Sequence, residues 1–455
     1  MSTICAISTP MAEGGISVIR ISGENAVSIA EKVFKPFTCE SVGSMAGYTC
    51  AYGQIHDGGK TVDDGVLTVF RAPHSYTGED VCEISCHGGI YVTKRVLRLC
   101  LDNGCEPAQA GEFTKRAMLN GKLSLTQAEA VMDTIAAQGE YALASANLTR
   151  QGSLFGRIHE VSDKLVKLLG ELAAWVDYPE EDLPAVEETA LRESLENAVS
   201  VTDKLLADCD NGMLIKHGID TVIAGRPNVG KSTLMNLLLG YDRSIVTEVA
   251  GTTRDVIEES AKLGELIFRL SDTAGIRDTD DRVEKIGVEM AEKRLDECMF
   301  VIEVFDTSVK PDEDDIALLE KVKSLGKRTL IVLNKSDLES AVEESFFKKY
   351  SDDIVYISAK NRDDRAQIQK AAEKIFTPEN YDAHSTIFAN ERQRACLDKA
   401  NRNLKAALEA LGMGETLDAV TVMIDYAANS LLELTGEKAT EAVVSEVFSK
   451  FCVGK

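Results

Sequence analysis

Short alternations of apolar and polar residues open the chain. Ile16-Ser17-Val18-Ile19-Arg20-Ile21 is one such run, bounded by Gly-rich turns, and period-2 patterning of this kind predicts strands. Residues 1–118 therefore read as a compact α/β or α+β domain. Cys82, Ile84 and Cys86 share one face of a second predicted strand, with Glu83 and Ser85 on the other. From about residue 122 to 213 the period lengthens. Ile158, Val161, Leu165, Leu168 and Leu172 recur at helical spacing, and Asp177-Tyr178-Pro179-Glu180-Glu181-Asp182 interrupts the pattern as an acidic turn. Residues 219–376 alternate strand-like runs (220–224, 329–333, 354–358) with helical ones, the signature of a parallel sheet wrapped by helices. Helical periodicity returns at 388–450.

This order suggests an insertion. Residues 119–215 and 379–455 would form one helical domain, with an α/β domain at 216–378 carried between them and an α/β domain at 1–118 in front. The fold class expected is multidomain α/β and all-α.

Composition narrows the picture. In 455 residues, 50 are Lys or Arg and 74 are Asp or Glu, a net charge of −24. That argues against sequence-independent nucleic-acid binding, which needs clustered cations, though not against an RNA gripped locally or through a partner. Apolar residues make up 44% of the chain, enough to bury cores. No stretch reaches the length of a membrane span, and the first residues lack the basic region of a signal peptide. The eleven cysteines contain no Cys-x-x-Cys pair and fit a reducing, cytoplasmic setting. Cys82, Cys86 and His87 lack a second pair of metal ligands and read as buried strand cysteines beside a histidine.

The chemistry concentrates in the third texture. Gly225-Arg226-Pro227-Asn228-Val229-Gly230-Lys231-Ser232 follows an apolar strand and precedes the helical run from Thr233. Its glycines let backbone N–H groups converge on phosphate, Lys231 reaches the β/γ-phosphates and Ser232 offers a hydroxyl to Mg²⁺. Asp272-Thr273-Ala274-Gly275 closes a second strand-like run, where Asp272 can hold Mg²⁺ through water and Gly275 can offer its N–H to the γ-phosphate. Asn334-Lys335-Ser336-Asp337 follows a third, and a carboxylate there accepts both the N1–H and 2-amino donors of guanine, a pair that adenine lacks. Ser358-Ala359-Lys360 closes over the base. Four motifs in this order, each after a strand, imply a GTP-binding domain. Where Ras-type GTPases place a water-orienting Gln after Asp-x-x-Gly, Ile276 stands here, so either the domain hydrolyses poorly or another group orients the attacking water.

Three features together carry a resemblance: the phosphate loop, Ala250-Gly251-Thr252-Thr253-Arg254-Asp255, and Asp272-Thr273-Ala274-Gly275-Ile276-Arg277. They resemble the TrmE/Era branch of GTPases. Ile7-Ser8-Thr9-Pro10, Arg20-Ile21-Ser22-Gly23, Ser75-Tyr76-Thr77-Gly78-Glu79-Asp80, Cys86-His87-Gly88-Gly89, Gly111-Glu112-Phe113-Thr114-Lys115-Arg116-Ala117 and the terminal Phe451-Cys452-Val453-Gly454-Lys455 extend the likeness along nearly the whole chain. It is similar there to the MnmE (TrmE) family of tRNA uridine-34 modification GTPases.

That resemblance implies an N-terminal folate-binding-like dimerisation domain, a helical domain and an inserted G domain. It implies a GTP hydrolase that binds GTP and GDP through Asn228, Val229, Gly230, Lys231, Ser232, Thr233, the segment Thr247-Glu248-Val249-Ala250-Gly251-Thr252-Thr253, Asp272, Thr273, Ala274, Gly275, Asn334, Lys335, Asp337, Ser358, Ala359 and Lys360. K⁺ would be held by Asn228, Thr247, Val249 and Thr252, and Mg²⁺ by Ser232 and Thr253. Glu284 would position the attacking water with Lys231 and Asp272 beside it, although read alone Glu284 is one more solvated helix-face carboxylate. A 5-formyl-tetrahydrofolate or related folate would meet Arg20, Glu83, Lys122 and Lys455, with Cys452 nearby as a catalytic candidate. Read alone, Arg20, Glu83, Lys122 and Lys455 are ordinary surface charges. The partners implied are a second copy of the chain, the FAD protein MnmG (GidA) in a heterotetramer, and tRNA, with no membrane. Leu417 to Asp425 is more apolar than the family pattern, and the turn Ala12-Glu13-Gly14-Gly15 lacks a glycine usual there.

Overall fold

The computed structural model describes residues 1–137, 139–177, 188–240, 259–264, 266–272, 293–376 and 390–455. The chain forms two compact units. Met1–Ala136, Ala146–Leu206 and Asn390–Lys455 make one, and Ala137–Ser145 with Ala207–Ala389 make the other.

The first unit begins with a seven-stranded sheet in the order β3-β4-β5-β6-β2-β1-β7. Its strands are β1 (Ile4–Ile7), β2 (Ile16–Ser22), β3 (Phe34–Pro36), β4 (Thr49–Asp57), β5 (Lys60–Phe70), β6 (Val81–His87) and β7 (Glu106–Pro107). Neighbours pair antiparallel except β1 with β7. The alternation read from the sequence decides which face is covered. Ile19, Ile21, Leu67, Val69, Cys82, Ile84 and Cys86 point at α1 (Ala26–Val33) and α2 (Ile90–Asp102), whose Val27, Val33, Val96, Leu99 and Cys100 complete that core. Arg20 stands opposite Glu83 in the β2–β6 register, on the other face. All eleven cysteines are free thiols.

Helices α3 (Glu112–Leu119), α4 (Leu125–Ala136) and α6 (Ser153–Asp177) follow, with α5 (Glu140–Arg150) between the last two in sequence and α7 (Glu188–His217) after them. The unit is completed by α11 (Glu391–Gly412), α12 (Leu417–Thr435) and α13 (Glu441–Ser449). The helical-period residues Ile158, Val161, Leu165 and Leu172 are buried, as are Leu191, Leu195, Leu404, Ile424 and Leu431 on the facing helices. Arg392 binds Glu129 through two nitrogens at 2.8 Å and also donates to the carbonyls of Glu433 and Leu434, which ties α4, α11 and α12 together. Gly436 ends α12 at φ 96°, and a Cβ there would lie 2.5 Å from that of Leu125. The acidic turn expected at 177–182 lies almost wholly outside the described residues.

The second unit holds a six-stranded sheet in the order β13-β12-β11-β8-β10-β9. Its strands are β8 (Ile219–Ala224), β9 (Glu259–Leu263), β10 (Leu266–Asp272), β11 (Phe300–Asp306), β12 (Arg328–Asn334) and β13 (Ile354–Tyr356). All pairings are parallel except β9 with β10. Helices α8 (Lys231–Leu239), α9 (Glu313–Ser324) and α10 (Arg365–Phe376) cover it. Strands buried on both faces read as continuous apolar runs, which is why the sequence showed them so clearly. Ile223, Leu234, Leu238, Phe268, Phe300, Val304 and Phe376 fill one side, and Val222, Val301 and Val322 fill part of the other. Glu303 alone interrupts β11 and is 1% exposed. The architecture is thus an N-terminal α/β sheet domain, a helical domain and an α/β domain of P-loop type. Among the described residues no helix is long and apolar enough to cross a membrane.

Candidate functional site

In the second unit, β8 runs straight into the phosphate loop and α8 leads out of it. Gly225 at φ 146° lies so close to β11 that a Cβ would meet the Val304 carbonyl at 2.4 Å. Gly230 starts α8 in the left-handed region (φ 103°), 2.3 Å from Asn334 Nδ2 if it carried a Cβ. Asn228 is also left-handed, at φ 65°. The loop closes on its own lysine: Lys231 Nζ donates to the carbonyls of Gly225 at 2.6 Å and Arg226 at 2.8 Å. The ammonium is thereby held at the loop, and Ser232 and Thr233 follow it on the first turn of α8, where N–H groups have no partner within the helix.

The base-side motifs lock onto this loop. Asn334 is buried; its Nδ2 donates to the Val229 carbonyl at 2.8 Å and its Oδ1 accepts the Ala359 N–H at 2.9 Å. One side chain so joins the phosphate loop, the end of β12 and the Ser358-Ala359-Lys360 loop. Lys335, at φ 63°, extends to Asp306 Oδ2 at 2.5 Å, and its carbonyl accepts the Thr307 hydroxyl. Burial pulls the Asp306 carboxyl upward, but hydrogen bonds from Lys335 and Ser308 outweigh it and hold the group below its usual range. The Ser358 hydroxyl, donating to Asp337, lowers that carboxyl too, so Asp337 stands ionised as an acceptor. The Ser358 N–H is taken by Asp364 at 2.7 Å. Asp272 ends β10 in register with Ile223, beside the phosphate loop. Thr247, Glu248, Val249, Ala250, Gly251, Thr252, Thr253, Thr273, Ala274, Gly275 and Glu284 lie outside the described residues.

A second constellation sits on the face of the first unit's sheet opposite α1 and α2. Arg20 Nε donates to Glu83 Oε1 at 2.8 Å, and the guanidinium lies 5.6 Å from the Phe113 ring centroid and 5.9 Å from that of Tyr76. Burial raises the Tyr76 phenol, which shares a hydrogen bond with Thr114 at 2.9 Å. The terminal segment docks here. Val453 pairs with Ala110, the Gly454 carbonyl accepts from Ser8 Oγ and Arg20 Nη1, and the Lys455 carbonyl accepts the Phe113 N–H. Gly454 is at φ 97°, with the Ile7 carbonyl 2.3 Å from where a Cβ would stand. Arg20 and Glu83 are therefore joined to each other and, through the Gly454 carbonyl, to the terminal segment, whose Lys455 is fixed by its main chain and whose Cys452 is exposed. Lys122 reaches the Pro73 carbonyl at 3.1 Å, on the loop that carries Tyr76. Sequence reasoning did not single out Tyr76 or Phe113 as site residues. Both lie inside motifs that carried the resemblance, which was the available signal.

A strand, glycine loop, buried lysine and helix, joined through one asparagine to a guanine-type carboxylate, define the chain as a P-loop GTPase, a GTP-hydrolysing enzyme. Two family models match it: "MnmE helical domain" over residues 125–452 and "GTP-binding protein TrmE N-terminus" over residues 3–122. The tRNA modification GTPase MnmE of Clostridioides difficile is 40% identical over 456 residues, covering 100% of this chain and 99% of that protein. Its counterpart from Carboxydothermus hydrogenoformans is 40% identical over 460 residues, with the same coverage. A solved structure of Aquifex aeolicus Era bound to GDP·AlF4⁻ is 27% identical over 41% of this chain and 66% of that one, at a TM-score of 0.28. The chain belongs to the MnmE family of tRNA modification GTPases.

Proposed function

We propose that this GTPase is stimulated by K⁺ and by pairing of two G domains in a homodimer, and that it works in the cytoplasm with MnmG (GidA). Together they would add a (carboxymethyl)aminomethyl group to C5 of uridine-34 in certain tRNAs, with a tetrahydrofolate as one-carbon donor. The observation that carries this reading is family membership along the full chain rather than over the G domain alone.

The described residues fit the groups this function needs. Asp337, kept ionised, accepts the two guanine donors, and Asn334 holds the base loop against the phosphate loop. Lys231 brings one positive charge to the β/γ-phosphates from a fixed pair of carbonyls. The left-handed turn at Asn228 suits a side-chain oxygen turned toward the phosphates, and Ser232 follows the loop where a Mg²⁺ ligand belongs. When bound, the two cations would supply further positive charge to the phosphate oxygens. Thr247, Val249 and Thr252 would complete the K⁺ set and Thr253 the Mg²⁺ set, while Glu284 takes the water-positioning part that Ile276 cannot.

On the sheet face, Glu83 offers carboxylate oxygens to the N–H edge of a pterin, and Arg20 turns a guanidinium toward carbonyl or anionic groups while stacking near Tyr76 and Phe113. Lys122 and Lys455 would add positive charge at the rim for a glutamate tail. A bound folate would supply the one-carbon unit, with Cys452 exposed beside it.

GTP turnover in KCl against NaCl at matched ionic strength tests the cation mechanism. Potassium stimulation that disappears in Glu284→Ala and Asn228→Ala is expected; equal rates in the two salts would overturn it. Wobble-uridine analysis of tRNA from a strain lacking the gene tests the pathway, and an unchanged modified base there would overturn the assignment.

A further inference from the structure

Arg226 is the second residue of the phosphate loop, and its side chain leaves the loop altogether. Its Nε donates to Asp315 Oδ1 at 2.8 Å and its Nη2 lies 2.8 Å from Asp315 Oδ2, a two-pronged grip, while Nη1 meets Asp312. Both carboxylates belong to the start of α9. Asp312 is its N-cap, accepting the N–H groups of Asp314 and Asp315, and the Asp312 N–H in turn donates to Asp315 Oδ2 at 3.2 Å. Asp315 is 1% exposed; burial pushes its carboxyl up, against the pull of the Asp312 N–H and Arg226. The Arg226 main chain meanwhile faces the other way, its carbonyl accepting from Lys231 Nζ. One residue is therefore fastened to a helix by its side chain and to the phosphate-binding lysine by its backbone.

We propose that Arg226 is a positioning residue for GTP hydrolysis. The Asp312–Asp315–Arg226 clamp fixes the plane of the Arg226 peptide, and that carbonyl, with Gly225, fixes the ammonium of Lys231. A guanidinium held by two parallel hydrogen bonds cannot swivel as a single-point ion pair can. Lys231 sits on a flexible stem and depends on fixed acceptors for its aim. Loss of the clamp frees the loop peptides while the base loops and backbone N–H groups still bind nucleotide. The deficit should then fall on charge stabilisation at the transferring phosphoryl group rather than on binding. The same link makes the start of α9 a lever on the phosphate loop.

The test uses the full chain with Arg226→Gln, Arg226→Lys and Asp315→Asn. The expected result is a kcat lower by about tenfold or more in each, with KM and the dissociation constant for a fluorescent GDP within about threefold of wild type. Arg226→Lys, which keeps the charge but not the fork, should not restore the rate. Folded variants with unchanged kcat would overturn the proposal. So would a kcat that falls only in step with melting temperature and GDP affinity, the mark of a purely structural bond. If Arg226→Gln does not fold, the two milder variants decide. The proposal rests on hydrolysis at this site. A wild type without turnover would strike that reading, and the affinity ratio of a non-hydrolysable GTP analogue to GDP would then judge the clamp, a ratio unchanged by the variants counting against it.

Discussion

Glu303 is enclosed in the middle of β11, between strands whose neighbouring residues are Ala224 and Ile331. Its Oε1 has no hydrogen-bond partner among the described residues, and burial raises its pKa to about 8. The folded chain therefore keeps this proton up to about pH 8, whereas the unfolded chain releases it near 4.5. Between those values the folded state binds more protons, so stability must fall as pH rises, by about 5 kcal/mol across the window. Thermal melts of wild type and Glu303→Gln from pH 5 to 8 should converge at low pH and separate in favour of the variant at high pH; parallel curves would refute this. Asp337 is the converse case, a carboxyl held ionised. If Asp337 takes the two guanine donors as proposed, Asp337→Asn should lower GTP affinity by about a hundredfold or more and shift affinity toward a base that carries a carbonyl at C2. Competition between GTP and XTP for the fluorescent nucleotide site measures it. The candidate role of Asp337 was readable from Asn-Lys-x-Asp spacing. That of Glu303 was not, because one carboxylate in an apolar run does not change the strand pattern.

At the scale of elements, each strand that precedes a nucleotide motif was legible, because a strand buried on both faces has few polar positions. β13 stops at Tyr356 rather than at Ser358, since the Ser358 N–H turns to Asp364 instead of a neighbouring strand. The docked terminal segment was legible only through resemblance: five residues carry no period. Its geometry depends on Gly454. Gly454→Ala places a Cβ against the Ile7 carbonyl and imposes about 1–3 kcal/mol of backbone strain. Hydrogen exchange at the Gly111 and Phe113 amides, which donate to Cys452 and Lys455, should speed up while the sheet amides stay protected. Unchanged protection at both amides would show that the segment tolerates the change.

For the whole molecule, the change from period 2 to helical period marked where the N-terminal strands give way to the long helices. It could not give the side-chain ties that hold distant helices together. Arg392 and Glu129 are 263 residues apart, and nothing in either neighbourhood marks them as partners. Arg392→Met should lower stability by about 3–5 kcal/mol, because Glu129 is left buried and charged. Chemical denaturation should show the loss in the transition of the first unit, with nucleotide affinity of the second unit little changed. Equal stability of variant and wild type would mean that the pair and its desolvation cancel.

Ser8 and Gly454 meet across 446 positions of sequence. During synthesis the sheet that carries Arg20 and Glu83 can fold early, from strands close together in the chain. The surroundings of Arg20 can be completed only when the segment around Gly454 has left the ribosome and found β1. A fragment that stops after α3 would leave the Ser8 hydroxyl and the Phe113 N–H without the acceptors that Gly454 and Lys455 supply, and the Phe113 amide should exchange freely there. Adding the segment back as a separate peptide, so that the two pieces complement each other, should restore protection of that amide.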